Sequence, residues 1–116
     1  MYVLSTTKKS RKSRIPVGQY SSVVTAISYA EEYADEEAIR VYYKLTSDEG
    51  ECYEYSEVFH NDAANERTAQ FFDYLEAAGI QEGEDGLPDL VGFSEDLTLK
   101  RKVGYSRPVI VQRDPA

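Results

Sequence analysis

The chain has 116 residues, of which 21 are acidic and 13 basic, and its formal net charge at pH 7 is −8. This length suits one domain with a single core, because either half alone would bury too little apolar surface to be stable. The single cysteine, Cys52, excludes an internal disulfide, and together with the single histidine, His60, it supplies too few ligands for a usual zinc site. We therefore expect no disulfide, no metal and no other cofactor.

The sequence also argues against a membrane protein. It has no apolar run near the roughly 18 residues that a membrane span requires, and residues 1–4 lack the length and order of a secretory signal. We expect a cytoplasmic protein without membrane contact, either monomeric or assembled into a homo-oligomer.

The charges are distributed unevenly along the chain. Residues 1–14 carry five basic and no acidic side chains, residues 97–116 carry five basic against one acidic, and residues 31–96 hold 20 of the 21 acids. Because phosphate contacts need Lys and Arg, the net charge argues against a nucleic-acid partner, whereas the two basic ends favour one.

The first elements in chain order are a basic arm and a long strand. Residues 1–14 contain a run with nothing apolar to bury, so we predict a flexible arm, followed by a single domain over 15–113 and a tail over 114–116. The β-branched residues of 19–29 predict the first strand. The closely spaced acids of 31–37 disfavour a helical turn and predict an acidic connecting loop.

A hairpin and a helix follow. Apolar residues alternate with polar ones from Ala38 to Thr46, which predicts the second strand, and residues 47–50 have the composition of a turn before a third strand over 51–59. Apolar residues at intervals of three and four predict a helix within 61–79, with Gly79 just past its end.

Two strands complete the predicted order. Residues 90–99 read as a fourth strand that is interrupted or bulged near Gly92 to Asp96, and residues 108–112 read as the fifth. The resulting fold class is mainly β, a five-stranded Greek-key barrel of the OB type with one α-helix between strands 3 and 4. An α+β sheet with one helix on a face is the alternative, which periodicity does not separate from the barrel.

No arrangement typical of an enzyme is present. Cys52 and His60 stand close in sequence without a surrounding nucleophile motif, and we interpret Cys52 as a small packing residue. Gly83 and Gly86 lie among acids that would repel a phosphate. We predict a protein without catalytic residues.

The second strand carries the best functional signal. If its apolar residues face the core, Arg40, Tyr42 and Lys44 face outward, a pattern of cations around an aromatic ring that suits a single strand of nucleic acid. The third strand and the loop after the fourth strand offer further aromatic and basic contacts. The predicted nucleic-acid contacts are Arg40, Tyr42, Lys44, Tyr53, Tyr55, Lys100, Arg101, Lys102, Tyr105 and Arg107.

The same residues have a structural interpretation. Tyrosine is common in any strand, and exposed cations often pair across strands, here with Glu54 or Glu57. The run 100–102 also suits a solubilising turn.

Four short segments carry a resemblance to a known family: Ile15–Tyr20, Ile39–Leu45, Leu75–Ile80 and Asp89–Gly92. They resemble segments of single-stranded-DNA-binding-like proteins encoded by phages and mobile elements. The resemblance spans about Ile15 to Arg113 and implies an OB fold, a role in replication or recombination, and no catalytic residues to transfer. The chain departs from that family in its acidic segment, residues 31–37, and in its strongly negative net charge.

Three functions follow as hypotheses. The first is a non-catalytic single-stranded-DNA-binding module of a phage or mobile element. The second is an acidic inhibitor whose block from Glu31 to Asp96 mimics phosphates and occupies a host nuclease or another basic protein partner. The third is a small structural subunit of a phage particle.

Overall fold

Five β-strands and one α-helix make up most of the regular structure in the part of the chain that is described, residues 15–33, 38–61 and 65–116 of a computed structural model. The elements are β1 (Gly18–Tyr29), β2 (Ile39–Thr46), β3 (Cys52–Phe59), α1 (Glu66–Ala77), β4 (Ser94–Lys100) and β5 (Val109–Pro115). The predicted basic arm, residues 1–14, lies outside the described residues. No helix within the described ranges is long and apolar enough to cross a membrane.

The strands form one antiparallel sheet in the order β3-β2-β1-β4-β5, with β1 at its centre. The prediction of a mainly β chain with five strands and a helix between the third and fourth is confirmed. The sheet is not closed by the strand pairings of the described residues, so the barrel and its Greek-key topology stay predictions.

The chain divides into two compact units. The first comprises Met1–Ser22, Lys44–Glu54 and Ser94–Ala116, of which 1–14 are not described, and the second comprises Val23–Tyr43 and Tyr55–Phe93. The apolar interior of the first contains Ile15, Tyr20, Leu45, Leu97 and Leu99, and that of the second contains Val24, Val41, Tyr43, Phe59, Phe71, Leu75 and Leu90.

Strand β2 follows its sequence pattern closely. Its odd-numbered residues, Ile39 to Leu45, are buried, and the even-numbered ones are exposed or half-buried. A tight turn leads into β3, where the Gly50 amide donates to the Ser47 carbonyl at 2.9 Å and Gly50 has a φ of +86°. Glycine adopts this conformation without the steric cost that a Cβ brings, which explains the predicted hairpin.

Helix α1 begins and ends where its capping residues stand. The Asn65 side chain accepts a hydrogen bond from the Thr68 amide at 3.1 Å, as an N-cap residue does. Past the other end, Gly79 has a φ of +83°, and the amides of Gly79 and Ile80 donate to the carbonyls of Glu76 and Leu75, both at 3.0 Å. This Schellman arrangement confirms the predicted role of Gly79.

The fourth strand starts later than predicted. Residues 90–93 form a turn, in which the Phe93 amide donates to the Leu90 carbonyl at 2.9 Å and Gly92 has a φ of +91°, and β4 begins at Ser94. The chain is therefore interrupted at Gly92 as predicted, but residues 94–96 are regular strand, and the register shift of β4 lies between Thr98 and Leu99.

Two other segments also contain regular structure beyond the prediction. Residues 31–33 of the predicted acidic loop form a short 3-10 helix, and Glu32 pairs with Arg40, whereas residues 34–37 lie outside the described residues. Residues 114 and 115, assigned to a tail, belong to β5 and pair with Asp96 and Glu95.

Candidate nucleic-acid interface

The loop between β4 and β5 is the most basic exposed feature of the described residues. Lys100 at the end of β4 pairs with Val109 at the start of β5, so residues 101–108 form the connection. Within it the Tyr105 amide donates to the Lys102 carbonyl at 3.2 Å, and Gly104 has a φ of +92°. A glycine in the third position with this φ is the signature of a type II turn.

The turn projects cations and apolar groups into solvent. Val103 is fully exposed, and the Tyr105 side chain is 61% exposed. The exposed cations of this segment are Lys100, Arg101, Lys102 and Arg107. No acid occurs in the sequence between Leu97 and Arg113, and we call residues 100–107, with these four cations, the basic loop.

Strand alternation explains why the basic loop starts where it does. Glu95, Leu97 and Leu99 are buried, so the intervening residues of β4, including Lys100, point away from the interior. Arg113, the last cation of the chain, is half-buried and lies 3.6 Å from the buried carboxylate of Glu95. It therefore has a structural role inside the first unit.

The outward face of β2 has the predicted composition. Tyr42 is 38% exposed and Lys44 is exposed, whereas Arg40 is half-buried. The Arg40 guanidinium forms an ion pair with Glu32 from the short 3-10 helix. The outward orientation of these three side chains agrees with the sequence analysis, but the Arg40 charge is offset by a carboxylate.

Tyr53 and Tyr55 lie on the inner face of β3, whereas the predicted nucleic-acid contact requires them on its outward face. Tyr55 is only 5% exposed, and its ring centroid lies 6.3 Å from that of the buried Tyr43. Tyr53 is half-buried, packs edge-on against Tyr20 at 5.9 Å and donates a hydrogen bond to Glu51 at 3.2 Å. The expectation that Tyr55 extends a stacking surface is wrong, because residues 53, 55, 57 and 59 share the inner face of β3.

The local environment also makes Tyr53 a weaker acid. Desolvation, the hydrogen bond to Glu51 and the negative charge of Glu51 and Glu49 raise the pKa of Tyr53 above its ordinary 10.0. Desolvation is the largest cause of a raised pKa for Tyr20 as well, followed by Tyr53 and the same two carboxylates. Both phenols favour their neutral form, which suits packing residues.

Sequence reasoning missed a polar cluster in the second unit. The Glu57 side chain is 4% exposed, accepts a hydrogen bond from the Tyr43 hydroxyl at 2.6 Å and pairs with Arg67 of α1 at 2.8 Å. The Arg67 guanidinium also lies 4.2 Å from the ring centroid of Phe59. The sequence offers Glu57 as a partner for exposed cations of β2, whereas it is buried on β3 and pairs with Arg67 of α1.

Cys52 and His60 lie at opposite ends of β3. Cys52 is exposed at the start of β3, so the prediction of a packing role is wrong, and His60 is half-buried directly after β3. The described residues contain no group of three or more His, Cys, Asp or Glu side chains placed to hold a metal ion.

Comparison of the chain with protein-family models, with curated proteins and with solved structures found no match.

Proposed function

We propose that the protein is a non-catalytic single-stranded-DNA-binding module, with the basic loop as its principal contact. The observation that supports this proposal most directly is that the loop has four exposed cations and an exposed Tyr105 and contains no acid. Proteins that bind single strands without reading sequence combine cations that follow the phosphates with aromatic rings on which bases stack. The loop supplies both types of group within eight residues, 100–107.

The fold gives further support to this proposal. OB domains are small, partly open five-stranded barrels, and the loop joining their fourth and fifth strands is a usual binding element. Five antiparallel strands with β1 central and a helix between β3 and β4 agree with that architecture. We therefore propose an OB-like domain. From the resemblance of its sequence segments we further propose a role in the replication or recombination of a phage or mobile element.

The outward face of β2 is the proposed second contact. Tyr42 offers an exposed ring and Lys44 an exposed ammonium group, and Arg40 would have to leave Glu32 to engage a phosphate. The basic loop is therefore expected to contribute more of the electrostatic binding than β2.

Fluorescence anisotropy of a labelled oligothymidine across a salt series tests the proposal. Each phosphate contact with a single strand contributes roughly −0.7 to the slope of the logarithm of the binding constant against the logarithm of the salt concentration. Four contacts therefore predict a slope of about −3. The double variant Arg101→Gln/Lys102→Gln should reduce that slope by about half. The charge-preserving variant Arg101→Lys/Lys102→Arg is the matched control and should retain the slope.

Stacking is tested separately from charge. Tyr105→Leu should weaken binding by about tenfold, because loss of one stacked base costs about 1–3 kcal/mol, whereas Tyr105→Phe should bind nearly as well as the parent chain. Tyr29, which is 49% exposed in the second unit, provides the control, and Tyr29→Leu should leave binding unchanged. Absence of binding at low salt, or a slope near zero, would overturn the proposal.

The acidic inhibitor is the second candidate. It is supported by residues 68–99, which contain eight acids and no Lys, Arg or His. In this role the protein would associate rapidly with a basic nuclease and displace its oligonucleotide. Inhibition of nuclease cleavage at low salt by a chain that does not itself bind oligothymidine would favour this candidate over the first.

A further inference from the structure

A groove in the second unit is formed by the last turns of α1 and the loop that follows it. It encloses about 330 Å³. Phe72, Leu75, Ile80 and Pro88 supply its apolar lining, and Glu76 and Glu82 bring carboxylates to it. This volume lies at the lower end of the range of about 300–1,000 Å³ for ligand sites.

Backbone hydrogen bonds connect the chain segments that line the groove. The Ile80 amide donates to Leu75 at 3.0 Å, which turns the chain at the end of α1. Beyond the turn, the Gly83 amide donates to the Leu87 carbonyl at 2.7 Å and the Asp89 amide to the Gln81 carbonyl at 2.8 Å. A ligand would therefore bind without first having to order this loop, which lowers the entropic cost of binding.

Part of the apolar lining is open to solvent. Phe72 is 37% exposed although it is a large apolar residue on a helix, while Leu75 below it is 3% exposed. Covering the Phe72 ring with another apolar group would remove this surface from water, which is the usual source of binding free energy at such a site.

The charge around the groove selects the type of ligand. Between Thr68 and Leu99 the chain carries eight acids and no cation, and the acids of α1 and of the following loop are exposed. In the second unit these exposed acids are Asp73, Glu76, Glu82, Glu84, Asp85 and Asp89. Such a field repels nucleic acid and attracts a cationic ligand.

The acids extend past the groove, which favours an extended ligand over a small cation. Among the described residues, the acids that line the groove are Glu76 and Glu82, whereas Asp73, Glu84 and Asp85 are exposed elsewhere on α1 and the following loop. A ligand that fits both the apolar lining and the surrounding acids needs an apolar group that enters the groove and several cations on either side of that group. A peptide segment with an apolar residue flanked by Lys or Arg has this chemistry.

We propose that the groove is a docking site for a basic peptide segment of a partner protein. An apolar side chain of the segment packs on Phe72 and Ile80, and neighbouring Lys or Arg side chains pair with Glu76 and Glu82. This site is separate in charge and composition from the basic loop, so the module would bind a protein partner and a nucleic acid through different residues.

Anisotropy with a labelled probe peptide tests the proposal. The probe is a lysine-rich peptide with two adjacent leucines at its centre, and the comparison peptide has serines in place of the leucines. The full chain should bind the leucine probe about tenfold more tightly, because only that probe buries apolar surface in the groove. Equal binding of the two probes, or no binding at low salt, would overturn the proposal.

Variants of the chain locate the site. Phe72→Ala, and separately Glu76→Lys/Glu82→Lys, should each weaken the leucine probe by about tenfold or more. Glu49→Lys/Glu54→Lys makes the same change of charge at exposed positions that do not line the groove, and it should change affinity by less than about threefold. Equal losses in the two double variants would indicate attraction to net charge alone and refute docking in the groove.

The variants must remain folded for this comparison. Circular dichroism checks that each variant retains the parent spectrum, and the charge-reversal pair keeps the test decisive if Phe72→Ala unfolds. Phe72→Ala should also leave oligothymidine affinity unchanged, so failure of peptide docking and failure of DNA binding give different results.

Discussion

Replacing Tyr43 by Phe removes one hydroxyl from the interior of the second unit and leaves the aromatic ring in place. This hydroxyl donates to Glu57 at 2.6 Å, and both side chains are nearly inaccessible, at 2% and 4% exposure. A hydrogen bond to a charged group contributes about 1.5–3 kcal/mol to stability. Glu57 keeps its ion pair with the half-exposed Arg67, so we expect Tyr43→Phe to cost about 2 kcal/mol.

Urea unfolding followed by far-ultraviolet circular dichroism measures this loss. With a slope of about 2 kcal/mol per molar urea, the transition midpoint should fall by about 1 M. The matched control is Tyr42→Phe, which alters the neighbouring, solvent-facing residue of β2 and should change stability by less than about 0.5 kcal/mol. A change that small for Tyr43→Phe, or equal losses in both variants, would refute the role assigned to the buried hydrogen bond.

Three further predictions concern the helix ends and alkaline pH. Asn65→Ala removes the side chain that accepts from the Thr68 amide and should cost about 1 kcal/mol in urea unfolding, whereas Asn65→Ser should recover most of it. Gly79→Ala places a Cβ at a φ of +83° and should cost about 1 kcal/mol, a loss that Gly79→Asn should reduce; thermal unfolding followed by circular dichroism is the measurement. Because the folded-state pKa of Tyr53 is raised above 10.0, its contribution is complete below that pH and is lost as pH rises through the raised value. Unfolding at about pH 9 and about pH 11 should therefore show a fall in stability that is smaller in Tyr53→Phe, and identical losses in the two proteins would contradict this.

Local sequence patterns predicted several elements because their determinants are local. The alternation of Ile39, Val41, Tyr43 and Leu45 identifies the buried face of β2, since side chains on a strand point to opposite faces in turn. Gly79 marks the end of α1 because its positive φ favours a residue without a Cβ. The start of β4 was placed wrongly because the apolar run from Leu90 also suits a turn.

The candidate interface was predictable only in part. The cations and Tyr105 of the basic loop are visible in the sequence because a turn that follows a buried strand is normally exposed. Tyr53 and Tyr55 were misplaced because their face depends on the register and parity of β3. Burial of Glu57 depends on its contact with Arg67 of α1, which is ten residues away in sequence.

The sequence by itself determined the chain order of the strands and helix, the hairpin turn, the end of the helix at Gly79 and the clustering of cations between β4 and β5. These features depend on backbone preferences and side-chain alternation over a few neighbouring residues. Only the tertiary structure decided that Tyr55 and Glu57 are interior and that Phe72 borders a groove of acidic character. The reason is that burial is set by what packs against a side chain, and those partners come from distant parts of the chain.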